Sequence, residues 1–194
     1  MISAQESDKN LVIDILNNSF YDNKSVNYII SKTKDKRKAM GQLMSYSFDL
    51  CMRFGEVLLS DDRKGCALLL YPERKKTDFF AIWSDVKLCL FSIGIANIFK
   101  VMSRENKIEG LQKSKVAHSA YLWFLGVLPS HQKNGTGSKL LREVLQQTDK
   151  ESRNVYLETS TLSNLPWYQQ FGFSIYEKLD LSYTLYFLDR KELL

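Results

Sequence analysis

The stretch Gly126-Val127-Leu128-Pro129-Ser130-His131-Gln132-Lys133-Asn134-Gly135-Thr136-Gly137-Ser138-Lys139-Leu140-Leu141 decides how the rest of the chain is read. It grows out of an apolar, aromatic-rich run, Ala120 to Val127, which has the character of a strand and is stopped by Pro129. Beyond it Leu140, Leu141, Val144 and Leu145 recur at helical spacing, which predicts a helix over Ser138 to Asp149. Between the two lies a short polar loop with two glycines. Glycine lets the backbone turn so that successive N–H groups point inward. A helix beginning at Ser138 adds its own unbonded N–H groups and the positive end of its dipole. Strand, loop and helix start together make a cradle for an anion such as a pyrophosphate.

Two common phosphate loops fail on position. A Walker loop needs Lys directly after its last Gly and another Gly five residues earlier, but Ser138 follows Gly137 and Gln132 holds the earlier place. A dinucleotide fingerprint needs a third Gly where Leu140 stands. What remains is Gln-x-x-Gly-x-Gly.

Working outward, Val155 to Thr159 reads as a strand and Asn164 to Phe171 as a short helix closed by Gly172. Phe173 to Leu179 and Leu181 to Leu188 follow as an antiparallel ribbon turning near Leu179-Asp180. Upstream, Asp8 to Phe20, Val26 to Lys32 and Asp35 to Met52 have helical spacing. Phe54 to Ser60 and Gly65 to Tyr71 form a hairpin around Asp61-Asp62-Arg63-Lys64. Thr77 to Ile108 crowds Phe79, Phe80, Trp83, Phe91 and Phe99 among many aliphatics. Asp85, Lys87 and Lys100 interrupt it before it reaches the ~18–20 uncharged residues of a membrane span, so two helices bent near Ser92-Ile93-Gly94 are expected.

The Gln-x-x-Gly-x-Gly loop with its Val127-Leu128-Pro129 lead-in resembles motif A of the GNAT acetyltransferases. Leu157-Glu158-Thr159-Ser160 followed by Asn164-Leu165-Pro166-Trp167-Tyr168-Gln169-Gln170-Phe171-Gly172-Phe173 resembles motif B of the same family. Two linked motifs in the right order are far more specific than either alone. The resemblance covers about Tyr121 to Leu179. The helices and hairpin before it fit the family without diagnostic residues, and the Thr77–Ile108 insertion departs from its simplest members. The implied fold is α/β, a mixed and mostly antiparallel sheet of about six or seven strands flanked by helices, with a helical insertion (77–108) before the cofactor-binding strand. One domain over 1–194 accommodates it.

The resemblance implies acetyl-CoA as cosubstrate and a primary amine as acceptor, attacked directly in a ternary complex. Strands Ala120–Val127 and Val155–Thr159 would run parallel and splay apart. The pantetheine arm would lie against Leu125, Gly126 and Val127 as an added strand, with a backbone N–H near Leu125 polarising the thioester carbonyl. The pyrophosphate would sit on Gln132, Lys133, Asn134, Gly135, Thr136, Gly137, Ser138 and Lys139. The matching Tyr of the family stands beside the sulfur, which makes Tyr168 the candidate acid for the leaving thiolate; a phenol near pKa 10 suits that donation. Asn164, one helical turn earlier, either touches the pantetheine or caps its helix. Glu158 is the nearest candidate base or else a structural hydrogen-bonding group, with His118 as a second choice. Tyr156 and Glu158 share the strand face opposite Val155, Leu157 and Thr159. A CoA-binding or regulatory module without transfer activity is the rival reading.

Composition bounds the rest. A formal net charge of +5 favours an anionic ligand, while the Lys32–Lys38 and Arg74–Lys76 clusters read as solvated surface rather than as a nucleic-acid face. Cys51, Cys66 and Cys89 have no CxxC spacing and neither His118 nor His131 adjoins them, so no metal site is expected. The first ten residues are polar and acidic, unlike a secretory signal, and a cytoplasmic location with reduced thiols is expected. The aromatics of 77–108 pack in part on the sheet, and the remainder must line an acceptor pocket, meet a second chain in a homodimer or touch a membrane surface.

Overall fold

Helical periodicity builds the N-terminal layer. In α1 (Lys9–Ser19) the stripe Val12, Ile15 and Leu16 is buried, and α2 (Lys24–Ile30) buries Val26 and Ile30. In α3 (Lys36–Phe54), Met40, Met44, Phe48 and Cys51 recur every three or four residues and have no exposed surface. Asp35 starts α3 by accepting the Lys38 N–H at 3.0 Å. The computed structural model describes residues 1–30, 35–75 and 95–191, with no side-chain detail for 75 and 95–98.

The strands are β1 (Ile2–Ser3), β2 (Gly55–Leu59), β3 (Gly65–Leu70), β4 (Ser119–Val127), β5 (Asn154–Thr159), β6 (Ser174–Asp180) and β7 (Thr184–Arg190). They form one seven-stranded sheet in the order β1-β2-β3-β4-β5-β7-β6. Every neighbouring pair is antiparallel except β4 and β5. This is the mixed sheet with one central parallel pair that the sequence implied.

The remaining α-helices among the described residues are α4 (Ile95–Gln112), α5 (Thr136–Lys150) and α6 (Leu165–Gln169). Side chains alternate across β4 and β5 and so divide the core in two. Tyr121, Phe124 and Tyr156 pack with α1 and α3 on one face. Ala120, Leu122, Val155 and Leu157 pack with Leu140, Leu141, Val144 and Leu145 of α5 on the other. Arg190 of β7 grips Asp149 of α5 through two bonds of 2.7 and 2.9 Å and fixes that helix to the far strands.

Several boundaries differ from the sequence reading. β1 is a two-residue strand with no periodic signal of its own, held by pairing with Leu58 and Leu59. The ribbon turn falls at 181–183 rather than at Leu179-Asp180, because Asp180 still pairs with Thr184. Pro166 sits in the first turn of α6, and a short 3-10 turn, Leu162–Asn164, leads into it. Of the expected 77–108 insertion, residues 77–94 lie outside the described residues; its second part belongs to the single helix α4, which runs on to Gln112. No helix among the described residues is long and apolar enough to cross a membrane.

Gly55 joins α3 to β2 where two backbones nearly touch: a Cβ there would lie 1.9 Å from the Leu69 carbonyl oxygen. Gly55→Ala is expected to cost about 2–3 kcal/mol of stability, as overpacking against backbone does. The check is a urea midpoint shift at unchanged slope; an unshifted midpoint would show that α3 can slide to make room.

Candidate active site

The site begins where β4 and β5 part. Only Ser119–Asn154, Ala120–Val155 and Tyr121–Tyr156 pair across the parallel ladder. Beyond Tyr121 the strands diverge, although β4 continues to Val127 and β5 to Thr159. On its other side β4 stays bonded to β3, but with a bulge: Leu68 faces Phe124 and Leu69 faces Leu122, leaving Trp123 as the extra residue. A bulge bends and twists its strand, here at the point of divergence. The backbone of residues 122–127 is therefore open toward β5.

The glycine loop continues this edge. Lys133 and Gly135 both adopt positive φ, at 63° and 84°. None of the N–H groups of residues 133–138 meets a backbone acceptor among the described residues. α5 starts at Thr136, two residues before the expected Ser138, because left-handed Gly135 turns its carbonyl back to accept the Lys139 N–H at 2.8 Å. A Cβ on Gly135 would meet nothing within 4 Å, whereas one on Gly137 would lie 3.4 Å from Val127 Cγ2 and 4.0 Å from the Trp167 ring. The loop is thus a row of free donors over open space at a helix N-terminus.

Not every loop side chain faces that space. Gln132 folds back to donate to the Val127 carbonyl at 3.0 Å. Lys139 leans away to Asp61 of the β2–β3 turn at 2.6 Å, and Thr136 donates to Asp62 at 3.3 Å. Gly126 lacks a side chain for a different reason from the loop glycines: a Cβ there would stand 2.5 Å from Ser19 Oγ, so its bareness admits α1. Leu125 and Val127 flank it on β4, Leu125 lining a cavity and Val127 buried.

From the β5 side comes α6. Trp167 donates its indole N–H to Ser138 Oγ at 3.0 Å, joining the two motif helices. Tyr168 is 7% exposed and packs edge-on against Phe173, yet its hydroxyl has no hydrogen-bond partner among the described residues. Burial pushes that phenol above its ordinary pKa. Asn164 holds the N-cap position of α6 but its side chain makes no capping bond. Asn164 and Tyr168 both line a cavity of about 520 Å³ that extends from the open end of β4 past Trp123 to α4.

Glu158 faces the same cavity. Its carboxylate accepts from Tyr121 OH at 2.7 Å and from Gln112 Nε2 at 2.8 Å. Enclosure raises its pKa to about 7, with the Arg104 charge and the two hydrogen bonds pulling the other way. Arg104 is only 4% exposed and bonds Tyr183 OH at 2.9 Å, Ser25 Oγ at 2.5 Å, and the Glu105 carboxylate. The structure therefore brings together Leu125, Tyr168, Asn164 and Glu158. It leaves His118 aside: its Nε2 lies 3.2 Å from the Glu151 carbonyl and it does not line the cavity. Tyr121, Gln112 and Arg104 escaped the sequence reading. The alternation that put Glu158 toward the cleft points to Tyr121 on the neighbouring strand, but nothing local marks the two α4 residues. Among the described residues no group of three or more His, Cys, Asp or Glu is placed to hold a metal ion.

The geometry agrees with what the chain is similar to. Residues 95–175 match the family model described as an acetyltransferase (GNAT) domain. An uncharacterized N-acetyltransferase of Schizosaccharomyces pombe is 28% identical over 173 residues, which is 84% of this chain and 70% of that protein. Among solved structures, a Corynebacterium glutamicum protein described as histone acetyltransferase HPA2 and related acetyltransferase superposes with a TM-score of 0.65 at 14% identity, covering 100% of this chain and 96% of that one. The ribosomal-protein-S18-alanine N-acetyltransferase of Escherichia coli superposes at 0.55 and 11% identity, covering 100% and 93%. At such identities these two structures establish the fold alone.

The Glu158 environment has a measurable consequence for stability. Its folded pKa, about 7, lies above the ordinary 4.5, so the folded state holds this proton more tightly than the unfolded state. That contribution is complete below about 4.5 and is lost as pH rises through about 7. Relative to Glu158→Gln, the native chain is expected to lose about 3 kcal/mol between those limits. Urea unfolding of both proteins at pH 4.5 and pH 8 checks it; parallel pH dependence would mean that water reaches Glu158 freely.

Proposed function

We propose that the chain, whose residues 95–175 match the acetyltransferase (GNAT) domain model, transfers an acetyl group from acetyl-CoA to the primary amine of a small acceptor by direct attack in a ternary complex. The observation that carries this reading is one cavity that touches three things: the unpaired end of β4, the unpartnered Tyr168 hydroxyl, and the Glu158 carboxylate. The free N–H groups of residues 133–138 suit the pyrophosphate of CoA, and the open edge at Leu125 to Val127 suits the amide-bearing pantetheine arm. Acetyl-CoA supplies the activated acyl group; the chain's own residues do the rest.

Glu158, titrating close to neutral, takes the proton that the acceptor nitrogen must shed, directly or through a water. The nitrogen attacks the thioester carbonyl carbon. A backbone N–H near Leu125, on the stretch of β4 beyond its pairing with β5, polarises the carbonyl oxygen in this scheme. As the C–S bond breaks, Tyr168 gives its phenolic proton to the sulfur and is reprotonated from solvent. Tyr121 and Gln112 do not touch the reacting atoms in this scheme; they hold the Glu158 carboxylate in place through the bonds of 2.7 and 2.8 Å. Asn164 joins the cofactor side as a free amide beside Tyr168.

Two variants test the scheme. Gly137→Val places branched carbon against Val127 and Trp167 and is expected to weaken CoA binding by more than about tenfold in calorimetry, roughly 1.4 kcal/mol. Tyr168→Phe is expected to lower turnover about a hundredfold, as loss of a general acid does, with CoA affinity nearly unchanged. Turnover should rise with pH through about 7 as Glu158 ionises. CoA binding without thiol release from any amine would support the rival reading, a binding module; equal turnover in Tyr168→Phe would reduce that residue to packing.

A further inference from the structure

The chain as a whole is cationic, with a formal charge of +5, but its cavity has the opposite sign. Among the described lining residues one guanidinium, Arg104, stands against three carboxylates, Glu105, Glu109 and Glu158. Arg104 is already committed: Glu105 takes its charge, and Ser25 and Tyr183 take its other donors. Glu109 lies on the same helix face as Glu105, one turn further and about 6 Å along the axis. It forms no ion pair with any described residue. Glu109 is thus left without a matching cation among the described wall residues, while Glu158 feels the Arg104 charge and adds negative charge as it ionises through about 7.

The remainder of the lining is largely apolar. Phe20 and Val26 come from the α1–α2 region, Leu43 from α3, Val101 and Ile108 from α4, and Trp123 from the bulge of β4. Tyr168, 7% exposed as a residue and with no hydrogen-bond partner for its hydroxyl among the described residues, marks the end of the cavity where a ligand would complete the bonding. A ligand carboxylate entering here would lose its water and meet uncompensated negative charge, whereas an ammonium would find carboxylates at the rim and an apolar bed for its skeleton.

We infer that the acceptor is a small amine that carries no carboxylate, an ammonium on an apolar or aromatic skeleton, and that Glu109 selects for its charge. The inference rests on the transferase reading above and deepens it by naming the substrate class. α-Amino acids and ω-amino acids are excluded by the same wall that draws in the matching amines. Because Glu109 is exposed to solvent, its share is modest and falls with added salt.

The test pairs each amine with its carboxylated counterpart: phenethylamine with phenylalanine, and hexylamine with 6-aminohexanoate. Thiol release is expected to give kcat/KM at least about tenfold higher for each amine, a difference worth roughly 1.4 kcal/mol. Glu109→Gln is expected to raise KM for phenethylamine about threefold, to affect kcat less, and to narrow the gap to phenylalanine. Calorimetry of the same four ligands against protein saturated with CoA should reproduce the ranking without turnover. Equal or reversed preference within either pair, or no binding of the amines at millimolar concentration, overturns the inference. The transferase reading fails separately, by absence of CoA binding to the native chain.

Discussion

Everything in this fold is arranged around the parting of two parallel strands. A sheet normally satisfies every backbone donor and acceptor along its ladders, and leaving a central strand half-paired would be costly without a replacement. Here the ladder between β4 and β5 closes after Tyr121, while β3 continues to hold the other side of β4 through the bulge at Trp123. The bulge accentuates the divergence, since an extra residue bends and twists β4 while its pairing with β3 continues. The loop of free N–H groups, the helix α5 that follows it, and the aromatic pair Trp167 and Tyr168 all converge on the gap so formed.

Helix α4 serves this gap from the other side. One face of it delivers Arg104, which ties together α2 and the β6–β7 turn, and Gln112, which holds Glu158. The same face gives the cavity its apolar wall at Val101 and Ile108. Structural bonding and cavity lining are thus one turn apart on one element. Removing this buried guanidinium would leave half-exposed Glu105 without its cation and take a donor from the Ser25 and Tyr183 hydroxyls at the junction.

The fold was legible to the extent that it follows local pattern. Amphipathic spacing located α1, α3 and α5, and the Asp61–Lys64 turn located the β2–β3 hairpin, because these signals lie within a dozen residues. The strand–loop–helix with Gly135 and Gly137, together with Asn164 and Tyr168, marks the gap in the sequence because each motif is contiguous. The Trp123 bulge left no mark, since it is a property of how β4 meets β3 rather than of the β4 sequence. The bonds from Tyr121 and Gln112 to Glu158 span 37 and 46 residues, and no local period encodes such distances. Net charge speaks for the surface and an anionic cosubstrate, and says nothing of the cavity, whose described lining sets three carboxylates against one guanidinium.

The bond from the Trp167 indole to Ser138 has an optical consequence. Indole emission depends on the field across the ring and on what its N–H meets, and this ring stands within 4.0 Å of where a Gly137 side chain would begin. An anion settling on the neighbouring N–H row would change both influences at once. Of the chain's three tryptophans, Trp167 stands at the junction of the two motifs, so with Trp83 and Trp123 replaced by Phe its emission would follow loop occupancy without an attached dye.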